Sequence, residues 1–264
     1  MNLDAYFDRI GYQGSREPSL DTLQKIHRAH LHAVPFENLD IHIPRPIQLN
    51  RDALFKKIVT EHRGGFCFEQ NGFFALVLQD LGFDVAMLSA QVYSQDFQSY
   101  GIPGNHMTLH VTVEGRSFLA DVGFGASFWD PVPLHVQADP FAQKVGDFWF
   151  EESEGLWHFY SRELGGAEKH LRFRFRLEPQ RLESFEEACH YMQTSPETHF
   201  TQKRMCSRWS TEGRLTLAEG RLIETFWDGS RRETEIAHEE RWHEFLRDRF
   251  QVDVRTQKPD QTNS

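Results

Sequence analysis

The chain has 264 residues and a formal net charge of −10, with 26% charged and 13% aromatic residues. This composition is typical of a globular protein with a sizeable core, and it excludes a disordered or fibrous chain. The acidic charge argues against general nucleic-acid binding, which relies on Lys and Arg to neutralise phosphates. The three cysteines, Cys67, Cys189 and Cys206, are too few and too far apart for a disulfide framework, as expected of free thiols in a reducing compartment.

The N-terminal stretch shows no sign of a targeting segment. It reads MNLDAYFDRIGYQG and lacks a basic region followed by an apolar core, which is the pattern of a signal peptide. The longest apolar run in the sequence, FFALVL, is far too short to cross a bilayer. We therefore expect a cytoplasmic protein with no membrane partner.

Residues 1–82 are predicted to be helical. Apolar residues at helical spacing follow a start signal at Ser19, and Asn50 fits the N-cap of a second helix. A third helix is predicted to begin near Cys67 and to end at Gly82, a residue typical of helix C-termini. The first third of the chain therefore indicates a helical segment.

The pattern changes to strands over residues 83–195. The stretch MTLHVTV at 107–113 alternates between apolar and polar residues, as a half-buried strand does. A turn and a returning strand at 118–125 follow it, and further strands are predicted in FDVAMLSAQVY, GDFWFEE, LWHFYS and LRFRFRLEP. A connecting helix is predicted in SFEEACHYMQTSP.

The last part of the chain is predicted to be mixed. Residues 196–254 contain short strands with tight turns and a final helix in HEERWHEFLRDRF. The polar tail at 255–264 is predicted to be disordered. The order of helices, antiparallel strands and a mixed unit indicates an α+β fold.

Cys67 is the candidate nucleophile. It follows a glycine pair, Gly64 and Gly65, and stands at the predicted start of a helix. The unpaired N–H groups and the dipole of a helix N-terminus stabilise an anion such as a thiolate, and the glycines allow a sharp turn. The alternative is a buried cysteine that serves only packing.

A cysteine nucleophile needs a base, and the base needs an orienting group. The predicted hairpin offers both, because His106 and His110 lie on one strand and Asp121 lies on the next. A two-residue turn at Gly115-Arg116 would place Asp121 opposite His110 and on the same face as His106. The pattern therefore leaves two candidate bases, slightly favours His110, and does not exclude purely structural histidines.

Three motifs around these residues resemble those of arylamine N-acetyltransferases. They are RGGFCFEQN, HMTLHV and DVGFG, in the order and spacing of that family. HRAHLHAVPFENLDIH upstream and TSPETHFTQKRMCSRWSTEGRLTL downstream are similar too, so the resemblance extends from about residue 5 to residue 250. Papain-like proteases and transglutaminases use the same Cys-His-Asp logic, but the surrounding motifs are those of the acetyltransferases.

The resemblance implies a catalytic triad. Cys67 would be the nucleophile, His106 the base and Asp121 the group that orients the base. His106 is the first histidine of the family's H-x-x-L-x-V motif, and we follow the motif against the hairpin count because a bulge or a bent strand shifts a register easily. His110 stays as the rival base.

The resemblance also implies a fold of three segments. A helical bundle at 1–82 would carry the nucleophile, a central antiparallel β-barrel at 83–195 would carry the histidine and the aspartate, and an α/β lid would follow at 196–254. The combination is an α+β fold with a triad like that of cysteine proteases.

The implied reaction is a ping-pong acetyl transfer in xenobiotic metabolism. Acetyl-CoA would acetylate Cys67, and the acetyl group would then pass to the nitrogen of an arylamine, arylhydrazine or hydroxylamine. No metal is required. The rival functions are a cysteine amidase or hydrolase with the same triad, an amide synthase that uses another acyl thioester, and a non-enzymatic binding module.

The substrate residues are less well defined. The resemblance implies an acceptor slot lined by Phe36, Val92, Phe124 and Phe128, although ordinary core positions are the alternative. Ala126 stands where a glycine is common in bacterial members, which bears on the width of the slot. The residues that bind the adenine and phosphate end of CoA and the oligomeric state stay unassigned.

Four further polar residues receive structural interpretations. Arg63 and Glu69 flank the nucleophile and are expected to form a charge pair or a helix-start device. His27 and His30 would share one face of a helix, but no cysteine or carboxylate set at zinc spacing accompanies them. No metal site is therefore predicted.

Overall fold

The computed structural model describes residues 1–43, 45–125, 128–164 and 166–254 of the chain. Within these residues the regular elements, in chain order, are α1 (Leu3–Ile10), α2 (Leu20–Ala33), β1 (Phe36–Glu37), α3 (Arg51–Phe55), α4 (Cys67–Asp80), β2 (Asp84–Ser94), β3 (Ser99–Tyr100), β4 (His106–Val113), β5 (Arg116–Ala120), β6 (Val132–Pro133), β7 (Phe141–Gln143), β8 (Gly146–Ser153), β9 (Leu156–Glu163), β10 (His170–Gln180), α5 (Glu186–Thr194), α6 (His199–Gln202), β11 (Cys206–Trp209), β12 (Gly213–Ala218), β13 (Arg221–Phe226), β14 (Arg231–Glu235) and α7 (Glu239–Phe250). Short 3₁₀ turns at Leu39–His42 and Leu182–Phe185 and a π-helical turn at Lys56–Thr60 complete the described elements.

The predicted helix signals of the first segment are confirmed. The Ser19 side chain accepts a hydrogen bond from the third residue of α2, and the Asn50 side chain caps α3 in the same way. Helix α4 ends just before Gly82, which adopts a φ of +87°. Nearly every residue of α4 is buried, because the helix packs against β2 and β4 on one side and α3 on another.

The middle of the chain forms an antiparallel sheet with the order β6-β5-β4-β2-β10-β9-β8-β7, and β3 pairs with β2 outside this path. The sheet curls into a nearly closed barrel, which confirms the predicted α+β fold of helices, barrel and lid. Eleven buried residues, among them Phe148, Phe159 and Phe173, form one apolar cluster inside the barrel. Six of the eleven are phenylalanines, so aromatic rings fill much of the barrel.

The hairpin between β4 and β5 turns one residue earlier than predicted. Val113 pairs with Arg116, so that the turn consists of Glu114 and Gly115, with φ angles of 53° and 70°. These angles are those of a tight hairpin turn that accepts positive φ at both central residues. The predicted turn at Gly115-Arg116 is thus wrong, and the register of the whole hairpin shifts accordingly.

The lid is a second sheet, with the order β1-β11-β12-β13-β14. Helix α7 packs on it, and ten buried residues, including Leu217, Trp242 and Phe250, form its core. Strand β1 comes from the first segment of the chain and pairs with β11. The segment boundaries near residues 82 and 195 stay predictions, while Ala126 and the tail at 255–264 lie outside the described residues.

A buried network of charges lies beside the start of α4. The Arg63 guanidinium donates to Glu37 Oε1 at 2.9 Å and to Asp40 Oδ1 at 2.7 Å. Lys57, which is in the π-helical turn, reaches Asp40 Oδ2 at 2.8 Å and Glu69 Oε1 at 2.6 Å. The second oxygen of Glu69 accepts the backbone N–H that precedes Cys67, at 3.2 Å. Glu69 is therefore the expected helix-start device, whereas Arg63 pairs with other carboxylates.

Arg63→Met should destabilise the protein strongly. The substitution keeps the volume of the side chain but leaves Glu37 and Asp40 as buried carboxylates with one cation fewer. We expect the free energy of unfolding to fall by about 3–5 kcal/mol, measured by urea titration.

Arg51→Met is the matched control. Arg51 bonds to Asp80 at 2.7 Å, but its side chain is 42% exposed, and such pairs contribute about 0–1 kcal/mol. Equal losses in the two variants would contradict a stabilising role for the Arg63 network.

Candidate active site

Cys67 is the first residue of α4 and is 4% exposed. The chain reaches it through a close approach: a Cβ on Gly64 would lie 1.8 Å from the Pro35 carbonyl oxygen, so that only glycine fits there. The first N–H groups of a helix have no partner within the helix, and Cys67 is the first residue of α4. The Cys67 sulfur lies 4.0 Å from the carbonyl oxygen of Asn105, just before β4.

His106, the first residue of β4, forms a buried pair with Asp121. Its Nε2 lies 2.6 Å from Asp121 Oδ2, and the two residues are 2% and 0% exposed. Burial alone would lower the pKa of His106, but the charge and the hydrogen bond of Asp121, together with Cys67, outweigh it and raise the pKa to about 10. A histidine in this setting carries a proton at neutral pH.

His110 is not placed to act with Asp121. It pairs with Leu119 across the hairpin, and its Nε2 bonds to Ser117 Oγ at 2.9 Å. Burial lowers its pKa. The register count that favoured His110 is wrong because it assumed a turn at Gly115-Arg116, one residue too late. No bulge interrupts the pairing of β4 with β5.

The Asp121 carboxylate is held by two further donors. Asn71 Nδ2 donates to its Oδ1 at 2.8 Å, and the backbone N–H of Gly123 donates to the same oxygen at 2.9 Å. Asn71 also donates to the Met107 carbonyl oxygen at 2.6 Å and accepts from the Val122 N–H at 2.9 Å. One turn of helix separates Asn71 from the candidate nucleophile, so this amide ties the cysteine helix to β4 and to the loop after β5.

His27 holds the loop that follows Asp121, a role that the sequence analysis missed. Its Nε2 accepts the Asp121 N–H at 3.3 Å, and its Nδ1 donates to the Trp129 carbonyl oxygen at 3.2 Å. This arrangement requires the neutral imidazole, and burial lowers its pKa to about 4. The neighbouring pair of Arg28 with Asp130 at 2.6 Å fixes the same end of the loop.

His30 has a separate set of partners. It bonds to the Tyr6 hydroxyl at 2.9 Å and to Gln70 Oε1 at 2.7 Å, while burial lowers its pKa to about 3. The described part of the chain contains no group of three or more His, Cys, Asp or Glu side chains arranged to hold a metal ion. The helical spacing of His27 and His30 was visible in the sequence, but their partners lie between 24 and 102 residues away.

Gly123 lets the loop after Asp121 rest on the cysteine helix. A Cβ at this position would lie 2.8 Å from the Cys67 Cα and 2.9 Å from Asn71 Nδ2. The next residue, Phe124, is only partly buried, and its ring centroid lies 5.0 Å from that of His106. Phe124 is therefore the predicted slot residue that lies beside the triad.

The other three predicted slot residues lie at different depths. Val92 donates its N–H at 2.8 Å to the side chain of Asn105, the residue whose backbone carbonyl faces the thiol. Phe36 bridges to Gly65 and is partly buried. Phe128 is fully buried and stacks on Phe159 at 4.8 Å in the barrel core. The structure thus brings Phe124 and Val92 close to the triad and places Phe128 in the core.

The other two thiols lie in apolar surroundings. Cys189 and Cys206 are both buried, and burial raises the pKa of each well above its usual range. Both are therefore protonated at neutral pH and poorly reactive.

None of the described helices is long and apolar enough to cross a membrane.

A thiol at a helix N-terminus beside an imidazole held by a buried carboxylate defines a class of enzymes. It is the arrangement of thiol-dependent acyl-transfer and hydrolytic enzymes. Comparison with known proteins narrows this class. The profile of the family described as N-acetyltransferase matches residues 19–259.

Relatives in sequence and structure carry the same name. Arylamine N-acetyltransferase pineal gland isozyme NAT-10 of Gallus gallus is 37% identical over 85% of this chain and 83% of its own. Arylamine N-acetyltransferase 1 of Homo sapiens is 34% identical over 81% and 79%. The structure of the Salmonella typhimurium arylamine N-acetyltransferase superposes with a TM-score of 0.90 at 29% identity, over 97% of this chain and 94% of that one. The chain belongs to the arylamine N-acetyltransferase family.

Asn71→Ala should weaken both the fold and the chemistry of the site. The substitution leaves the Val122 N–H and the Asp121 carboxylate without the amide that satisfies them. We expect a loss of about 1–3 kcal/mol in the free energy of unfolding and slower modification of Cys67 by a thiol-acylating ester, measured by intact mass.

Asn50→Ala is the control for this prediction. It removes a helix cap far from the thiol and should cost about 1 kcal/mol in stability with no change in the acylation rate. If Asn71→Ala behaves like Asn50→Ala in both assays, the amide has no positioning role.

The imidazole of His106 should titrate near pH 10 in the folded protein. Its folded-state pKa lies above the ordinary value of about 6.5, so its contribution to stability is fully present below pH 6.5 and is lost as the pH rises through about 10. NMR titration of the histidine rings measures the pKa directly. Asp121→Asn should lower the pKa of His106, because the imidazole stays buried while the negative charge of its partner is lost.

His110 is an internal reference in the same spectra. It should titrate below its ordinary pKa, since burial lowers it. A value for His106 near or below that of His110 would rule out the ion pair with Asp121.

Proposed function

We propose that this chain transfers an acetyl group from acetyl-CoA to the nitrogen of arylamines, arylhydrazines or hydroxylamines, through an acetyl-cysteine intermediate. Cys67 is the nucleophile, His106 the acid and base, and Asp121 the group that orients and charges the imidazole. The observation that carries the proposal is the buried pair of His106 and Asp121 at 2.6 Å, with the thiol at the adjoining helix N-terminus.

The donor half-reaction begins at the thiolate. His106 uses Nε2 for Asp121, which leaves Nδ1 for the proton of the Cys67 thiol. The sulfur attacks the acetyl carbonyl carbon of acetyl-CoA, and the backbone N–H of Cys67 is a candidate donor to the resulting oxyanion. One such donor contributes about 3 kcal/mol where its removal has been measured. The carbon–sulfur bond to CoA then breaks, and the imidazolium gives its proton to the leaving thiolate.

The acceptor half-reaction reverses these roles. The amine nitrogen attacks the acetyl-cysteine carbonyl, His106 takes the proton from the nitrogen, and the Cys67 thiolate leaves. An aromatic acceptor fits against the ring of Phe124, which lies 5.0 Å from the imidazole. Val92 and Phe36 extend this slot, and no metal ion takes part in either half-reaction.

The comparisons support the donor. The structure of the Mycobacterium marinum arylamine N-acetyltransferase in complex with CoA superposes on this chain with a TM-score of 0.86 at 26% identity, over 95% of this chain and 93% of that one. We further propose that the protein is a cytoplasmic enzyme of xenobiotic metabolism. Its partners are then acetyl-CoA and small aromatic amines or hydrazines. Neither nucleic acid nor a membrane is among its partners.

Incubation with acetyl-CoA alone should add one acetyl group to Cys67. Intact and peptide mass spectrometry detects the intermediate when no acceptor amine is present. Cys67→Ser should abolish it, and His106→Ala should slow it by about 10² or more. His110→Ala is the matched control and should acetylate at the wild-type rate.

Three results would contradict the proposal in different ways. Acetylation lost in His110→Ala but kept in His106→Ala would reverse the assignment of the base. Rapid hydrolysis of amides without CoA would favour a cysteine amidase. Acylation by another acyl thioester, but not by acetyl-CoA, would favour an amide synthase.

A further inference from the structure

The imidazole of His27 is a buried titratable group that takes no direct part in the proposed reaction. It lies on α2 and is 0% exposed. Both of its ring nitrogens bond to backbone atoms: Nε2 to the N–H of Asp121 and Nδ1 to the carbonyl oxygen of Trp129. These two atoms belong to opposite ends of the segment that joins β5 to β6. A single ring from the helical bundle therefore bonds both ends of the segment that begins with the triad aspartate.

The N–H of Asp121 needs an acceptor inside the protein. Asp121 follows the last residue of β5 and is 0% exposed, and a buried N–H without a partner costs about as much as a lost hydrogen bond. The next two N–H groups also have acceptors: that of Val122 donates to Asn71 Oδ1, and that of Gly123 donates to the Asp121 carboxylate. His27 on α2 thus accepts the first N–H of a short backbone stretch whose second N–H is bound by α4.

The two partners determine the protonation state of the imidazole. A carbonyl oxygen only accepts and a backbone N–H only donates, so Nδ1 carries the hydrogen and Nε2 accepts. Burial lowers the pKa of His27 to about 4, and the charges of Asp130 and Asp121 and the two hydrogen bonds oppose this only in part. The ring is therefore neutral at neutral pH, and its bond to Trp129 selects the tautomer that can accept from Asp121.

The carbonyl group of Trp129 is itself fixed by its surroundings. Gln143 Oε1, at the end of β7, accepts the N–H groups of Trp129 and Asp130 at 3.0 and 2.9 Å. Arg28, the next residue on α2, donates to both oxygens of the Asp130 carboxylate at 2.6 Å. The Phe74 ring packs edge-to-face with the imidazole, with centroids 5.8 Å apart. The imidazole therefore lies between a fixed carbonyl group and a packed ring, and it has little freedom to turn.

A shift of the Asp121 backbone would change the ion pair that the reaction needs. Burial alone would lower the pKa of His106, and the 2.6 Å bond to Asp121 is the main reason that it rises to about 10. If the acceptor on α2 is removed, the N–H of Asp121 is left unpaired in a buried site, and the backbone turns toward another partner. The carboxylate is only one methylene away from this backbone and moves with it. His106 then loses part of the bond that keeps it charged.

We propose that His27 is a positioning residue for the triad: its Nε2 fixes the backbone of Asp121 and thereby holds the carboxylate against His106. The two bonds of the ring have separable effects. The Nε2 bond controls the charge of His106 and so the reactivity of the thiol, whereas the Nδ1 bond contributes stability and selects the tautomer. The inference rests on the triad of the proposed function, but its test does not require acetyl-CoA.

Two amide substitutions separate the two bonds. The amide of His27→Gln lies where Nε2 lies and accepts from Asp121, whereas the amide of His27→Asn lies where Nδ1 lies and donates to Trp129. Each variant loses one buried hydrogen bond, so both should unfold at a lower urea concentration, by similar amounts. His27→Gln should keep the pKa of His106 at the wild-type value. His27→Asn should lower it by about one unit or more, measured by NMR titration of the histidine rings.

The reactivity of Cys67 gives a second readout. A small thiol-acylating ester reacts with the thiolate, and one unit in the pKa of His106 is about tenfold in proton transfer from the thiol. The acylation rate at neutral pH, measured by intact mass, should therefore fall by up to about tenfold in His27→Asn. It should stay within about twofold of the wild-type rate in His27→Gln, because the acceptor for Asp121 is kept.

Tyr6→Phe is the matched control. It removes a buried hydrogen bond from another histidine of α2, the bond between Tyr6 and His30 at 2.9 Å, and both of these residues are 0% exposed. It should lower the urea midpoint as the His27 variants do, and it should leave the pKa of His106 and the acylation rate unchanged. If His27→Gln and His27→Asn change the pKa of His106 equally, or if neither changes it, His27 contributes only to stability and the proposal is wrong.

A measurement on the wild-type protein does not depend on whether the variants fold. The ring-nitrogen chemical shifts of isotopically labelled histidine distinguish the two neutral tautomers from the charged ring. His27 should carry its hydrogen on Nδ1 at neutral pH, and a hydrogen on Nε2 would overturn the proposal. Failure of acetyl-CoA to acetylate the wild-type protein would contradict the proposed function alone, because neither the pKa of His106 nor the reaction with the small ester involves that donor.

Discussion

The buried carboxylate of Asp121 must be compensated by hydrogen bonds and an opposite charge, and the surrounding structure supplies both. A charge removed from water is costly unless hydrogen bonds and an opposite charge surround it. Here the imidazole of His106, the amide of Asn71 and the N–H of Gly123 supply three donors to its two oxygens. Each donor comes from a different element: the start of β4, the interior of α4 and the loop after β5. The carboxylate therefore joins the helical bundle to the barrel at the point where the thiol lies.

The start of α4 is fixed from two sides by buried charge. On one side the helix carries Asn71 to the triad, and on the other side Glu69 accepts a backbone N–H while it binds Lys57. Two glycines permit this close packing. A Cβ at Gly64 would collide with Pro35, and a Cβ at Gly123 would collide with Cys67. A rigid frame of this kind keeps a nucleophile and its base at fixed separation without direct contacts to the substrate.

Local signals predicted the elements well, and long-range contacts decided the site. Helix caps at Ser19 and Asn50 and the alternation in β4 depend on neighbours in sequence. The hairpin register depended on one turn residue. Because Glu114 adopts a positive φ, the turn lies one residue earlier than the sequence pattern predicted. The family motif predicted the pairing of His106 with Asp121 where the simple count did not. The partners of His27 and of Arg63 come from distant segments, so no local pattern could indicate them.

The lid sheet and the nucleophile share one piece of backbone. Strand β1 extends the lid by pairing with β11, and its residue Phe36 also bridges to Gly65, two residues before the thiol. The lid is therefore connected to the cysteine loop through the backbone of β1.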